Sequence, residues 1–197
     1  MFVQIIRAKA ADPGGIRKEM DRWRDELAPG ADGWLGVTAG VSTNGEYWSV
    51  VRFESEEAAR RNSDRPEQGT WWNDMSRHFD GDATFYECTD PQVWAGGGSD
   101  EAGFVQIMSG VARDRAKLEE MMQGGEDEMR DTRPDVMGGT YCPIGDKEFV
   151  TTVYFSSEAE ARKGEQAGSG GPDEEQWNQL VEKIEYADLT EPYLVSK

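Results

Sequence analysis

The sequence predicts an α+β protein made of two copies of one βαββαβ unit in tandem. The first observation is an internal repeat, because Phe2-Val3-Gln4-Ile5 recurs as Phe104-Val105-Gln106-Ile107, a shift of 102 residues. The same shift also aligns acidic, glycine and aromatic positions up to residue 60 of the first copy. The second observation is that strand-like and helix-like segments follow the same order in both halves. A repeat of this length predicts two homologous domains.

A glycine-rich stretch separates the two copies. Residues 95–103 read Ala-Gly-Gly-Gly-Ser-Asp-Glu-Ala-Gly, the composition of a flexible linker. We therefore expect a first domain at residues 1–94 and a second at residues 104–197.

The first domain opens with a strand and a helix. Phe2–Ala8 is a short apolar run, as expected of a buried strand. Asp12 is a suitable N-cap and Pro13 suits the first helical turn. Apolar residues then follow at helical spacing up to Pro29-Gly30: Ile16, Met20, Trp23 and Leu27.

A hairpin and a second helical region follow. Trp34–Thr43 and Glu46–Phe53 flank Asn44-Gly45, the preferred dipeptide of a type I′ turn. Ser55 caps the second helical region, which breaks near Pro66 and resumes through Trp72–Phe79. The domain ends with a strand at Ala83–Cys88. In the second copy we expect a strand at 104–109, a helix at about 112–130, a hairpin across Gly145-Asp146, helices at about 158–164 and 173–183, and a strand at 185–190.

This order of elements is that of the ferredoxin-like unit, whose two helices cover one face of an antiparallel sheet. Strand three carries apolar residues on both parities: Tyr47, Val51 and Phe53 on one, Trp48 and Val50 on the other. We expect the first set to face the helices. The second set predicts that the two sheets of the chain pack together as an intramolecular barrel.

The charge balance excludes some partners. The 197 residues include 39 Asp and Glu against 21 Lys and Arg, a net charge of −18. Binding to nucleic acid or to an anionic membrane needs a concentrated basic surface, so neither is expected.

The sequence also carries no sign of a membrane segment or a metal site. No run approaches the roughly 20 apolar residues of a membrane span, and the N-terminal residues lack signal-peptide features. A cytoplasmic protein is therefore expected. Cys88 and Cys142 belong to no metal-binding spacing, so we expect no metal and two reduced, buried thiols.

The FVQI strand, the helix before a glycine-rich second strand, and Phe53-Glu54-Ser55-Glu56-Glu57-Ala58 resemble the dimeric α/β-barrel superfamily. Its antibiotic biosynthesis monooxygenase-like branch is the most similar in pattern. The resemblance implies oxygenation without a cofactor, acting on a small aromatic or polyketide-like compound. It also implies that this chain is a fused dimer, either a monomer with an internal pseudo-dimer or a homodimer.

The segment from Thr70 to Phe79 supplies most of the candidate site. The resemblance implies that a Trp, an Asn, Tyr side chains and an Arg hold a phenolic substrate. Asp74 and His78 are four residues apart on a predicted helix, so the carboxylate could orient the imidazole as a general base. The catalytic candidates are His78, Asn73 and Arg52. The ligand-binding candidates are Trp48, Trp71, Trp72 and Tyr86.

Each candidate also has a structural interpretation. Trp72, Met75 and Phe79 have the spacing of an amphipathic core face. Arg52 either pairs with a carboxylate or lines a cavity for an anion. Gln4 and Gln106 are expected to satisfy buried backbone groups.

The sequence therefore leaves three functions open: a cofactor-independent oxygenase, a non-catalytic protein that binds a small ligand, and a structural interaction module.

Overall fold

The computed structural model describes residues 1–124, 131–167 and 174–197. The chain divides into two compact units: unit 1 comprises residues 1–90 with 193–197, and unit 2 comprises residues 91–192. Residues 193–197 belong to unit 1 and residues 91–94 belong to unit 2. Each unit therefore includes a short segment that the predicted boundaries assign to the other domain.

Unit 1 has the predicted order of elements. They are β1 (Phe2–Lys9), α1 (Pro13–Arg22), a π-helical turn (Trp23–Leu27), a 3-10 turn (Ala28–Gly30), β2 (Trp34–Val41), β3 (Glu46–Phe53), α2 (Glu56–Ser63), α3 (Pro66–Ser76) and β4 (Thr84–Cys88). The predicted caps of both helical regions are confirmed, since Asp12 accepts a hydrogen bond from the Gly15 N–H and Ser55 from the Ala58 N–H.

Unit 2 repeats this order. Its elements are β5 (Gln92–Trp94), β6 (Phe104–Ala112), α4 (Arg115–Gly124), β7 (Val136–Ile144), β8 (Glu148–Phe155), α5 (Glu158–Ala167), α6 (Glu174–Leu180) and β9 (Val181–Leu189), and the chain then returns to unit 1 as β10 (Tyr193–Ser196). Residues 125–130 of the predicted helix 112–130, and residue 173 of the helix 173–183, lie outside the described residues. The latter helix ends at Leu180, because Val181 and Lys183 pair with β6 as part of a strand.

Each unit contains one antiparallel sheet of five strands. The order is β10-β2-β3-β1-β4 in unit 1 and β5-β7-β8-β6-β9 in unit 2. The Asn44-Gly45 hairpin is confirmed, with β2 and β3 paired on either side of it and Gly45 at a φ of +81°.

The edge strands β5 and β10 are absent from the sequence-based prediction. They have three and four residues, too few for a readable alternation of apolar and polar positions. β5 pairs with β7 and β10 pairs with β2, so each strand completes the sheet of the other copy.

The structure also describes the two cysteines and the lengths of the helices. Cys88 and Cys142 are buried thiols that form no disulfide bond among the described residues. Among the described residues, no helix is long and apolar enough to cross a membrane.

Candidate functional site

Unit 1 contains a cavity of about 280 Å³ between the helix-covered face of its sheet and the helical segments above it. Aromatic side chains are the largest group in its wall: Trp23, Trp34, Tyr47, Phe53, Trp71, Trp72, Phe85 and Tyr193. The polar lining residues are Gln4, Arg24, Ser49, Asn62, Ser63 and Gln68. This composition, mainly aromatic with a few polar groups, is typical of a small-molecule site.

Strand geometry explains why these residues share one face. Alternation along β3 places Tyr47, Ser49, Val51 and Phe53 on the helix side, as predicted for three of them. In β2 a bulge between Trp34 and Gly36 changes the register, so that Trp34 and Val37 both reach the cavity.

The tryptophans are fixed by one another and by the helices. The rings of Trp23 and Trp34 meet edge to face at 5.1 Å between centroids, and Trp71 lies 6.4 Å from Trp23. The Trp71 Nε1–H donates to the Glu19 carbonyl oxygen over 2.8 Å. The aromatic wall is therefore held in place before any ligand arrives.

The polar groups of the wall are biased toward donors. The Trp23 Nε1–H donates to Gln68 Oε1 over 2.7 Å, and Arg65 Nη1 donates to Asn62 Oδ1 over 2.9 Å. Each amide oxygen thereby accepts one of its two possible hydrogen bonds, and the amide nitrogens keep their N–H groups for other acceptors. The Trp34 Nε1–H is buried and has no hydrogen-bond partner among the described residues.

The ionisable lining residues do not titrate near neutral pH. Burial raises the pKa of Tyr47 to about 12, and burial likewise raises that of Tyr193 to about 12. Arg24 forms ion pairs with Asp25 at 2.7 Å and with Asp21 at 3.0 Å. Among the described lining residues, the wall therefore offers fixed donors and a cation rather than a general base.

The structure brings two of the seven predicted site residues to this cavity, Trp71 and Trp72. Trp48 and Arg52 alternate with cavity-facing residues along β3, and Tyr86 alternates with Phe85 on β4. These three side chains therefore belong to the opposite face of the sheet. Trp48 is 1% exposed there, with the Arg7 guanidinium 4.9 Å from its ring centroid.

Arg52 donates hydrogen bonds to hydroxyl groups of two other strands. Its Nη1 donates to Thr38 Oγ1 over 3.1 Å, and its Nη2 donates to Ser196 Oγ over 3.4 Å. The guanidinium thus links β3 to β2 and β10, and Arg52 is not a lining residue of the cavity.

The predicted Asp74–His78 pair is wrong. α3 ends at Ser76, so His78 lies in the following turn and the i, i+4 geometry is lost. Asp74 instead accepts from Arg22 at 3.1 Å and Arg77 at 2.9 Å.

His78 contacts the start of α1. Its Nδ1 lies 3.1 Å from Asp12 Oδ2, and the Gly15 N–H, together with this contact, lowers the pKa of the Asp12 carboxyl. A Cβ at Gly15 would lie 2.1 Å from the His78 Nδ1, so a larger residue here would displace the imidazole. His78 is not a lining residue of the cavity.

The remaining residues of this segment have mixed roles. Met75 and Phe79 are buried, as the core-face interpretation predicts, and Asn73 is exposed. Trp72 combines both interpretations, because it lines the cavity and also contacts Phe79 and Phe85 at 6.0 and 5.1 Å between ring centroids.

The similarity of this chain to known proteins is found in structure and not in sequence. No protein-family profile and no curated protein sequence matches it. Solved structures do match. A proposed monooxygenase from Fusobacterium nucleatum shares 8% identity with a TM-score of 0.79, over 100% of this chain and 94% of its own. An anthrone oxidase-like protein shares 7% identity with a TM-score of 0.66, over 100% and 94% of the two chains.

A third structure names the fold directly. It is a ferredoxin-fold protein related to antibiotic biosynthesis monooxygenases, from Listeria monocytogenes, with 8% identity and a TM-score of 0.52 over 96% of this chain and 94% of its own. The chain has the ferredoxin-like fold of these structures, twice in tandem. At these identities the likeness establishes the fold alone.

Unit 2 has a cavity of about 640 Å³ in the equivalent place. Charged residues distinguish its wall: Arg133, Arg162, Glu165 and Asp188. Arg162 forms ion pairs with Asp188 and Glu165, and the first of these raises the pKa of Arg162 most. Among the described residues, no group of three or more His, Cys, Asp or Glu could hold a metal ion in either unit.

Sequence reasoning missed Trp34, Asn62, Gln68 and Tyr193, and it misjudged the two glutamines. Gln4 lines the cavity of unit 1, and Gln106 Nε2 donates to Asp188 Oδ1 over 3.0 Å in the wall of unit 2. The sequence did carry a signal for them, because a glutamine recurs at the same helix-facing position of the first strand in both copies of the repeat.

Proposed function

We propose that unit 1 binds a small planar aromatic compound that carries at least one hydrogen-bond acceptor oxygen, such as an aryl ketone or its enolate. The observation that carries this proposal is that Trp34, a lining residue of the aromatic cavity, has a buried Nε1–H without a hydrogen-bond partner among the described residues.

Two physical arguments support this ligand class. Aromatic side chains favour a planar aromatic ligand through offset-stacked and edge-to-face contacts. A buried donor without a partner costs about 1–3 kcal/mol, and a ligand oxygen in the cavity would remove that cost. Because the amide oxygens of Asn62 and Gln68 each already accept one hydrogen bond, a ligand that offers only donors finds fewer partners there.

Titration calorimetry with a matched pair of probes tests this proposal. 2-Acetylnaphthalene and 2-ethylnaphthalene have similar shapes and differ in the carbonyl oxygen. We expect the ketone to bind about 2- to 10-fold more tightly, the range that one hydrogen bond supplies. Trp34→Phe should abolish this preference.

Trp48→Phe is the matched control, because the Trp48 Nε1–H is also buried without a described partner but lies on the other face of the sheet. It should leave the preference unchanged, which also tests Trp48 as a predicted ligand-binding residue. Equal affinity for the two probes would remove the acceptor requirement, and binding of neither would overturn the proposal.

Oxygenation of such a ligand is a second candidate, favoured by the likeness to an anthrone oxidase-like protein over the whole chain. In this reaction an activated CH₂ group and O₂ give a C=O group and water, so the substrate supplies all four electrons. The donors of the cavity would stabilise the enolate that forms when the CH₂ group loses a proton.

Oxygen uptake with anthrone tests this second candidate. We expect one O₂ consumed per anthrone, and no uptake above the uncatalysed rate would contradict it. His78→Ala, Asn73→Ala and Arg52→Ala then test the predicted catalytic residues. Loss of uptake in His78→Ala would support its role as the base, whereas unchanged uptake would favour direct proton release to water.

A further inference from the structure

The cavity of unit 1 is completed by a strand that is distant in sequence. All its other lining residues lie between Gln4 and Phe85, whereas Tyr193 and Val195 belong to β10. β10 has four residues and is an edge strand, paired only with β2. Short edge strands are among the elements that open at low free energy.

The contacts of β10 place Tyr193 firmly when the strand is docked. Its hydroxyl donates to the Met20 carbonyl oxygen over 3.2 Å, and the Arg17 guanidinium lies 4.7 Å from its ring centroid. The ring is 4% exposed. Beyond the strand, the Lys197 N–H donates to the Leu35 carbonyl oxygen over 3.1 Å.

β2 is shaped to accept this strand. Gly36 has a φ of +154°, and a Cβ there would lie 2.7 Å from the Val195 carbonyl oxygen. Only glycine allows this approach of the two backbones. The docked position of β10, and with it the position of Tyr193, is therefore specified by the sequence of β2.

We propose that ligand binding in unit 1 and docking of β10 are thermodynamically linked, with Tyr193 as a ligand contact that only the docked strand provides. The inference rests on the proposed function. A ligand that contacts Tyr193 and Val195 binds the docked state more tightly, so it shifts the equilibrium toward docking. By reciprocity, undocking of the strand lowers the affinity by the same factor.

Unit 2 offers an independent parallel. Its cavity takes Trp94 from β5, the strand that occupies the place of β10 in that sheet. Like the Trp34 Nε1–H of unit 1, the Trp94 Nε1–H is buried and has no hydrogen-bond partner among the described residues. In both units, the strand supplied from beyond the predicted domain boundary contributes an aromatic residue to the cavity wall.

Amide hydrogen exchange of the full chain tests the linkage, with 2-acetylnaphthalene as the probe. At a probe concentration of 100 Kd, amides of Tyr193–Ser196 that exchange through undocking should slow about tenfold, because a ligand shifts an equilibrium by at most the ratio of its affinities for the two states. The exchange rates of amides in β9, an edge strand of the unit 2 sheet, should not change. Protection of β10 equal to that of β9 would overturn the proposal.

Variants separate contact from general stability. Tyr193→Ala should weaken probe binding about tenfold, and deletion of residues 193–197 should weaken it at least as much. Leu194→Ala is the matched control, since Leu194 lies on the same strand but outside the cavity lining, and should bind normally. Because the deletion also removes a strand of the sheet, the full-length Tyr193→Ala variant decides the question.

The two proposals fail differently. If the wild-type chain does not bind the probe, the proposed function fails and the linkage fails with it. If the wild type binds but Tyr193→Ala binds equally well, the linkage alone is overturned.

Discussion

The cavities of unit 1 and unit 2 occupy equivalent places in two copies of one fold, but their walls differ in chemistry. The shared part is the helix-facing side of the sheet and one helix: Gln4 and Gln106, Tyr47 and Phe149, Val51 and Val153, Phe53 and Phe155, and Trp72 and Trp177. At three other equivalent positions, Trp34, Asn62 and Ser63 of unit 1 become Val136, Gly164 and Glu165.

These substitutions change what each wall is made of. In unit 2, the missing side chain at Gly164 leaves room for the Arg133 guanidinium, whose Nε would lie 2.1 Å from a Cβ there. Arg133 in turn pairs with Asp135 at 2.8 Å. Both walls are rich in aromatic residues, but unit 1 adds mostly neutral polar groups whereas unit 2 adds ion-paired arginine and carboxylate side chains, so one fold supports two chemistries.

The largest expected effect concerns the aromatic wall. Trp71→Ala should destabilise unit 1 by about 3–5 kcal/mol, because a buried ring and its hydrogen bond to Glu19 are lost. Trp177→Ala in unit 2 removes a ring that is only partly buried, and it should cost less. Urea unfolding followed by amide exchange in β3 and β8 reports the two units separately. Equal losses would break the comparison.

The next effect concerns the ionic wall of unit 2. Arg162→Met should destabilise the chain by about 2 kcal/mol, because Asp188, 19% exposed, loses its charged partner. Arg60 is the equivalent residue of unit 1, where it is 65% exposed and pairs with Glu56. Arg60→Met should therefore change the unfolding free energy by at most about 0.5 kcal/mol. A similar cost for both variants would contradict the assignment of Arg162 to the cavity wall.

Alkaline stability sharpens the comparison at Tyr47. Its pKa is raised by burial from 10.0 to about 12, so the folded state keeps a proton that the unfolded state releases. Stability is therefore lost as pH rises through that range, by about 1.4 kcal/mol between pH 9 and pH 11. Tyr47→Phe installs the residue of unit 2 and should remove this part of the slope. Thermal unfolding of the wild type and of Tyr47→Phe between pH 9 and pH 11 measures this pH dependence. An identical dependence in both proteins would contradict a raised pKa of Tyr47.

The smallest effect compares two helical glycines. A Cβ at Gly69 in α3 meets no atom within 4 Å, so Gly69→Ala should stabilise unit 1 by about 0.5–1 kcal/mol through the unfolded chain. Gly164→Ala gains the same entropy but displaces the Arg133 guanidinium. The gain in unfolding free energy should therefore be smaller for Gly164→Ala than for Gly69→Ala in urea unfolding. Equal gains for the two variants would show that the Arg133 side chain moves aside without cost.

The predictions that hold depend on neighbours in sequence. Asn44-Gly45 sets a hairpin through its own backbone preferences, and Asp12 caps α1 through a bond to Gly15, three residues away. Strand parity likewise identifies the face of β3 that meets the helices. Each of these signals is local, and a sequence displays it directly.

The expectations that differ from the structure depend on where a local element stops or what lies across from it. Two missing helical residues move His78 away from Asp74 and toward Asp12, which is 66 positions earlier. Trp48, Arg52 and Tyr86 have residue types that suit a site, but their parity places them on the face away from the cavity.

The amino-acid sequence by itself determined the tandem repeat, the order of elements, the helix caps and the helix-facing residues, because propensity, capping and periodicity act over a few residues. The tertiary structure decided which polar groups remain unsatisfied, as at Trp34, and which strands close each sheet. Those properties arise from contacts such as that of Tyr193 with Met20, between residues 173 positions apart. A cavity is bounded by such contacts, and therefore its chemistry becomes visible only when the chain is folded.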